Sequence, residues 1–297
     1  MSLDATSPAA SRRGPAPRLL ARAVAVLGAA ALTTTLLGVS PARAAQDVDY
    51  VALGDSFTSG PGIQPVADAA CQRSAVNYPH LVAEDLGVAS FTDMSCGGAV
   101  IDDLRTPQHS GTTAQFDALT PETDLVTVGI GGNDFGFIEV LTTCAALSLS
   151  DPRNNPCEDH YGDELHQRVE ELRPRLAEVY AEIGERSPNA EVYVVGYLHL
   201  FSDWACWPAV PIAYGDTPYL SGVQTALNAM IAEEAERAGA TYVDVYERGH
   251  GMCDLSRNRW VEGVFATNGV APVHPNARGM SATADRVVAA TGAVPAV

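Results

Sequence analysis

An apolar strand runs directly into a serine turn in the stretch Tyr50-Val-Ala-Leu-Gly-Asp-Ser-Phe-Thr-Ser-Gly60. Further apolar segments follow along the chain, and amphipathic segments rich in Ala, Glu, Leu and Arg separate them. The predicted strands are residues 49–53, 90–94, 125–129, 191–198 and 241–245, and the predicted helices are residues 78–86, 135–147, 164–186, 218–238 and 276–290. This alternation predicts an α/β protein whose parallel sheet is covered by helices on both faces.

Four chemically useful residues follow the predicted strands or precede the last helix. Ser56 follows the first strand, Gly98 lies in a glycine turn after the second, Asn133 follows the third, and His274 precedes the final helix. In an open parallel sheet, the functional crevice lies at the carboxyl ends of the strands. A hydroxyl, neutral hydrogen-bond donors and an imidazole are the groups that acyl transfer requires. Taken singly, Ser56 also fits a helix cap, Asn133 a turn and His274 a structural role.

Four blocks of sequence carry a family resemblance that spans essentially the whole chain after residue 44. Gly54-Asp55-Ser56, the Gly97-Gly98 turn, Gly132-Asn133-Asp134 and His274 resemble the blocks of the SGNH (GDSL) hydrolase family, in order and with compatible spacing. The six cysteines and the Gly-Gly-Asn-Asp-x-x-Phe run make the chain most similar to the secreted actinomycete esterase/lipase branch. The resemblance implies a three-layer α/β/α sandwich with a five-stranded parallel sheet, the flavodoxin-like SGNH hydrolase fold.

The resemblance also implies a role for each site residue. Ser56 is expected to be the nucleophile and His274 the base. The backbone N–H groups of Ser56 and Gly98 and the side-chain amide of Asn133 are expected to form the oxyanion hole. No metal and no organic cofactor are expected.

One position departs from the family pattern. The family usually has an aspartate three residues before the histidine, whereas this chain has Ala271. The Nδ1–H group of the imidazole needs an acceptor to hold the ring, but that acceptor need not be charged. We predict that the backbone carbonyl of Ala271 accepts this hydrogen bond, so that Ser56 and His274 act as a dyad.

The first 44 residues have the three parts of a secretory signal peptide. Arginines at positions 12, 13, 18 and 22 precede an uncharged run over residues 23–42, and Ala42-Arg43-Ala44 is a small-x-small cleavage signal. A retained membrane anchor is the competing interpretation, because 20 uncharged residues can just span a bilayer. We expect cleavage, which leaves residues 45–297 as a single, extracellular hydrolase domain with no stable membrane anchor.

Charge narrows the range of partners. The chain carries 18 Lys+Arg, all of them arginine, against 36 Asp+Glu. Removal of residues 1–44 takes away five arginines and Asp4, so the mature chain would have a formal charge of −22. Such a chain lacks the basic surface that neutralises phosphates, which argues against nucleic-acid binding. Nothing in the sequence indicates more than a monomer.

The cysteines indicate an oxidising compartment. The six are Cys71, Cys96, Cys144, Cys157, Cys206 and Cys253. An even number in an exported chain indicates three disulfides, for which fifteen pairings are possible. We expect the sequential pairing. His250-x-x-Cys253 is alternatively part of a metal site, although no second ligand pair follows at zinc-like spacing.

These observations predict a secreted carboxylic-ester hydrolase that acts on lipid esters through an acyl-enzyme. The acyl pocket is expected to be lined by residues 138–147 and 201–219. Phospholipase and carbohydrate deacetylase activities on the same site are alternatives, and acyl transfer to an alcohol is another. A non-catalytic binding module would be expected to have lost site residues, whereas the serine, the donors and the histidine are all present.

Overall fold

A central parallel sheet organises the chain. The computed structural model describes residues 46–266 and 270–292, so the expected signal peptide lies outside the described residues. The strands are β1 (Gln46–Gly54), β2 (Val66–Asp68), β3 (Arg73–Ser74), β4 (Val88–Asp93), β5 (Leu125–Gly129), β6 (Glu191–Val195) and β7 (Thr241–Val243). Five of them form the sheet in the order β4-β1-β5-β6-β7, all parallel, while β2 and β3 form a small antiparallel ribbon.

Helices flank this sheet on both sides. They are α1 (Ser56–Ser59), α2 (Tyr78–Leu86), α3 (Phe137–Ser150), α4 (Pro156–Tyr161), α5 (Glu164–Arg186), α6 (Asp216–Arg237) and α7 (Ala277–Ala290), with short 3-10 helices at Ile101–Leu104 and Gln115–Ala118. α2 packs against α7, and α5 packs against α6. The predicted three-layer α/β/α fold with a five-stranded parallel sheet is therefore confirmed.

The helices form where apolar spacing and capping residues favour them. α5 buries a stripe at three- and four-residue intervals, made of Leu165, Val169, Leu172, Leu176, Val179, Tyr180 and Ile183. The Asn77 side chain caps the start of α2, and Gly87 ends that helix with φ +62°. The Asn276 side chain accepts hydrogen bonds from the first backbone amides of α7.

The strand order changes direction at β1, and this fixes the place of the site. The chain leaves β1 for β4 on one side of the sheet and then crosses to β5 on the other side of β1. Ligands bind outside the carboxyl ends of the strands at such a switch point. The turns after β1 and β5, which contain Ser56 and Asn133, therefore lie next to each other.

Three disulfides link segments that lie outside the strands of the central sheet. They are Cys71–Cys96, Cys144–Cys157 and Cys206–Cys253, which is the sequential pairing expected from the sequence. Because its sulfur is bonded to Cys206, Cys253 is no metal ligand, and the alternative metal site is ruled out. Among the described residues, no cluster of three or more His, Cys, Asp or Glu side chains could hold a metal ion.

Element ends differ from the predictions in two informative places. β6 stops at Val195, three residues before its predicted end, because side chains of α6 take over the hydrogen bonding of the next backbone groups. α3 begins at Phe137, two residues later than predicted, because residues 131–136 are used in a glycine turn. No helix within the described ranges is long and apolar enough to cross a membrane.

Candidate active site

The turn after β1 presents Ser56 at the carboxyl edge of the sheet. The Gln115 side chain bonds both backbone groups of Gly54, with its Oε1 2.8 Å from the amide nitrogen and its Nε2 3.0 Å from the carbonyl oxygen. Gly54 has φ +153°, and a Cβ there would lie 2.3 Å from Thr58 Oγ1, so only glycine fits this position. Asp55 then caps α1 by accepting the Phe57 amide at 2.8 Å.

His274 contacts Ser56 directly. Its Nε2 lies 2.8 Å from Ser56 Oγ, and its Nδ1 lies 2.7 Å from the carbonyl oxygen of Pro272. The prediction that the carbonyl of Ala271 accepts this hydrogen bond is therefore wrong. Val273 has φ +62°, a left-handed conformation that is rare for a β-branched residue. This bend directs the Pro272 carbonyl towards the imidazole ring of His274.

A neighbouring loop fixes the backbone that carries His274. The carbonyl of His274 accepts the Glu262 amide at 2.9 Å, and the amide of Asn276 donates to the Trp260 carbonyl at 2.8 Å. The buried Glu262 carboxylate also accepts from the Asn276 side chain at 2.9 Å. Together these bonds fix the backbone at His274 and at the residues that follow it.

The Asn133 turn shares the cleft of Ser56 and is joined to the Gly98 turn. The Asn133 side-chain amide uses one N–H to bind the Ala99 carbonyl at 2.8 Å, which leaves its second N–H available. Asp134 accepts the Ile101 amide at 2.9 Å, so the two turns are joined twice. Gly98 lies next to Ala99 with φ +79°. Its amide, like that of Ser56, donates to no residue within the described ranges.

Burial sets the ionisation of the groups around the serine. Desolvation lowers the pKa of His274, and the hydrogen bond to Pro272 opposes that effect. Desolvation raises the pKa of Asp55 to about 7, although the Tyr197 hydroxyl and the Phe57 amide stabilise its carboxylate. Desolvation also raises the pKa of Asp134 despite its ion pair with Arg175. A neutral imidazole that is ready to accept a proton is the expected state near neutral pH.

An apolar cleft, partly open to solvent, starts at these polar groups. Ser56, Asn133 and His274 line its polar end. The apolar remainder comes from α3, α5, α6 and the segment after β6, with Phe135, Phe137, Ile138, Val140, Leu141, Leu165, Leu200, Phe201, Leu220, Val223 and Leu227. A serine and histidine at one end of an apolar cleft suit an ester with a hydrocarbon chain.

Comparison with known proteins identifies the family. The profile of the GDSL-like Lipase/Acylhydrolase family matches residues 52–282. The chain belongs to this family. It is 38% identical over 287 residues to Lipase 2 of Streptomyces coelicolor, covering 93% of this chain and 97% of that protein.

Two solved structures are similar to this chain in fold. A phospholipase A1 from Streptomyces albidoflavus is similar at TM-score 0.68 and 31% identity, covering 83% of this chain and 100% of that one. An extracellular lipase from Streptomyces rimosus is similar at TM-score 0.68 and 29% identity, over the same shares. The predicted family and the ester-hydrolase class are therefore confirmed.

The structure brings most, but not all, of the predicted site residues into the cleft. Ser56, Asn133 and His274 share one cleft, whereas Gly98 belongs to the adjoining turn and does not line it. The expected acyl pocket is correct for α3, but of residues 201–219 only Phe201 lines the cleft. The sequence analysis did not identify Tyr197, whose hydroxyl contacts both Asp55 and the Asn133 turn.

Proposed function

We propose that this chain is a secreted serine ester hydrolase of lipid substrates that works through a Ser56–His274 dyad. The observation that carries the proposal is the 2.8 Å contact between Ser56 Oγ and His274 Nε2 at the polar end of an apolar cleft. Because a carbonyl oxygen only accepts, the Pro272 contact requires the proton on Nδ1 and leaves Nε2 free to act as a base.

The reaction follows from this arrangement in two halves. Ser56 Oγ attacks the ester carbonyl while its proton moves to His274 Nε2, and the carbonyl oxygen becomes an oxyanion. The amides of Ser56 and Gly98 and the Asn133 side chain donate to that oxyanion. His274 then protonates the leaving alcohol, and an acyl-enzyme remains. Water attacks the acyl-enzyme with His274 as base, which releases the acid and restores Ser56.

The cleft supports a neutral ester with a hydrocarbon acyl chain. Its described lining contains no arginine, and the chain has no lysine, so no cation of the lining faces a phosphate of a bound substrate. This favours acylglycerols and similar esters over phospholipids. A carbohydrate deacetylase would need polar groups for the sugar, whereas this lining is mostly apolar. Acyl transfer differs by its acceptor, and product ratios in excess alcohol test for it.

Export as a monomer belongs to the same proposal. Residues 1–44 are removed as a signal peptide, and residues 45–297 act outside the cell as one domain without a membrane anchor. The three disulfides support an oxidising destination. The intact mass of the protein recovered from the medium, together with its native size, tests this part: a mass that includes residues 1–44 would contradict it.

The decisive experiment compares two serines of the same short helix. Nitrophenyl esters from acetate to palmitate are hydrolysed with the wild type, with Ser56→Ala and with Ser59→Ala. Ser59 is a matched control because its hydroxyl is buried and has no hydrogen-bond partner among the residues that the structure describes. We expect Ser56→Ala to abolish turnover, Ser59→Ala to retain it, and the wild type to prefer acyl chains of eight carbons or more. Turnover by Ser56→Ala, or a sharp preference for acetate, would contradict the proposal.

A further inference from the structure

Tyr197 joins the Ser56 turn to the Asn133 turn through one oxygen atom. Its hydroxyl donates to Asp55 Oδ2 at 2.6 Å and accepts the Gly132 amide at 2.7 Å. Asp55 is the residue before Ser56, and Gly132 is the residue before Asn133. A single phenol therefore fixes the distance between the segments that carry the nucleophile and an oxyanion donor.

The backbone of Tyr197 is itself clamped by α6. Asn228 Oδ1 accepts the Tyr197 amide, and Asn228 Nδ2 donates to the Tyr197 carbonyl, both at 2.9 Å. One turn earlier on α6, Gln224 binds the carbonyl of Leu198 and the amide of Leu200 in the same manner. These two amide side chains replace a neighbouring strand, so the segment that carries the phenol is fixed to a rigid helix.

Packing leaves the phenol ring little freedom. A Cβ on Gly132 would lie 3.0 Å from both Cζ and the hydroxyl oxygen of Tyr197, so the ring lies directly against that glycine. The ring also packs against Phe57 in a T-shaped arrangement, with 5.3 Å between the ring centroids. Burial raises the pKa of the Tyr197 hydroxyl, which therefore keeps its proton and continues to donate to Asp55.

We propose that Tyr197 is a positioning residue for ester hydrolysis, holding the Ser56 turn and the Asn133 turn in register through Asp55 and Gly132. This inference rests on the proposed roles of Ser56 and Asn133. Oxyanion donors act only when they lie about 2.7–3.1 Å from the developing charge. A small displacement between the two turns therefore reduces the stabilisation of the transition state more than it reduces substrate binding.

The test replaces Tyr197 by phenylalanine, which removes only the bridging oxygen. Tyr193→Phe is the matched control, because Tyr193 lies on β6 and donates to a single carboxylate, that of Glu191, at 2.9 Å. Hydrolysis of a nitrophenyl ester is measured after active-site titration. We expect Tyr197→Phe to lower kcat by about 10- to 50-fold, below the 10²–10³ cost of losing an oxyanion donor itself. KM should stay within about twofold, and Tyr193→Phe should change neither parameter by more than about twofold.

Coupling to Asp55 gives a second readout. In a double-mutant cycle of Tyr197→Phe with Asp55→Asn, the double variant should lose clearly less kcat than the product of the two single losses. Wild-type kcat in Tyr197→Phe, a change confined to KM, an equal loss in Tyr193→Phe, or independent effects in the cycle would each overturn the proposal. Ser56→Ala separates the two levels: turnover by that variant would overturn the proposed function, whereas an inactive Ser56→Ala beside a fully active Tyr197→Phe overturns only this inference.

A second variant keeps the test valid if Tyr197→Phe does not fold. Asn228→Ser leaves the phenol in place but releases the backbone that carries it. We expect the same pattern at smaller size, with kcat lowered about three- to tenfold and KM unchanged. A misplacement of about 1 Å can lower the rate about 10²-fold, so a smaller displacement of the Tyr197 backbone should cost less than that. Unchanged kcat in a folded Asn228→Ser enzyme would overturn the proposal in this arm.

Discussion

The ion pair between Arg175 and Asp134 is expected to stabilise the Asn133 turn in a pH-dependent way. Arg175 Nη2 lies 2.7 Å from Asp134 Oδ1, and the other carboxylate oxygen accepts the Ile101 amide at 2.9 Å. The Asp134 side chain is 2% exposed, whereas that of Arg175 is 41% exposed. Replacing Arg175 by methionine therefore leaves a buried carboxylate with one fewer donor.

The size of the effect follows from this geometry. A hydrogen bond to a charged group contributes about 1.5–3 kcal/mol, and the exposure of Arg175 reduces this to about 1–2 kcal/mol through solvent screening. For a domain of this size the melting temperature should fall by about 2–8 °C. Because Asn133 is the residue before Asp134, kcat should also fall, by about three- to tenfold.

The pH dependence gives this prediction its sign. Burial raises the pKa of Asp134, and Arg175 opposes that rise, so Arg175→Met raises this pKa further. A carboxyl group whose pKa is higher in the folded state than in the unfolded state favours folding at low pH and loses that contribution as the pH rises. The destabilisation by Arg175→Met should therefore be largest at pH 8 and shrink towards pH 5, where a proton replaces the lost partner.

Thermal unfolding at pH 5 and pH 8, together with kcat at pH 8, tests this reasoning. Arg168→Met is the control, since Arg168 lies on the same helix and pairs with Glu139 and Glu164 at the surface. Such pairs contribute about 0–1 kcal/mol. An equal loss of stability for both variants, or a loss by Arg175→Met that does not depend on pH, would refute the argument.

Three further outcomes are expected. Because burial lowers the pKa of His274, kcat/KM should rise with pH through a midpoint below about 6.5, the ordinary histidine value; a pH–rate profile with a higher midpoint would contradict this. Replacing Cys71 and Cys96 by alanine should reduce the free energy of unfolding in urea by about 2–4 kcal/mol and also lower kcat, since this bridge braces the Gly98 turn. Val223→Phe should narrow the cleft and shift preference in the nitrophenyl ester series towards shorter acyl chains, with acetate turnover kept; unchanged chain-length preference would exclude Val223 from the acyl site.

Local sequence was sufficient for most of the fold and for the polar end of the site. The apolar segments at β1 and β5 and the apolar stripe of α5 are signals within one element, so their positions could be predicted to within a few residues. The rule that crevices lie at strand ends then brought the turns of Ser56 and Asn133 together. These predictions needed no knowledge of which side chains meet across the sheet.

Tyr197 was missed because its role depends on contacts between distant segments. Its apolar neighbours favoured a strand that continues to residue 198, whereas the backbone there pairs with amide side chains of α6. A signal was nonetheless present. Gln224 and Asn228 lie four residues apart on α6, among the buried apolar side chains of Leu220, Val223, Leu227 and Ile231. Buried amides with that spacing must find partners, and a backbone segment without a neighbouring strand offers them.

The wrong prediction for Ala271 shows what orients the histidine when the family aspartate is absent. The replacing residue does not supply the acceptor, because His274 Nδ1 lies 2.7 Å from the carbonyl oxygen of Pro272, one residue further on. The left-handed conformation of Val273 creates this contact, at a cost of about 1–3 kcal/mol that the surrounding hydrogen bonds must offset. A neutral carbonyl fixes the tautomer but stabilises the imidazolium less than a carboxylate would. In this structure the orientation of the His274 ring thus depends on the shape of the backbone at Pro272 and Val273 rather than on a charged side chain at position 271.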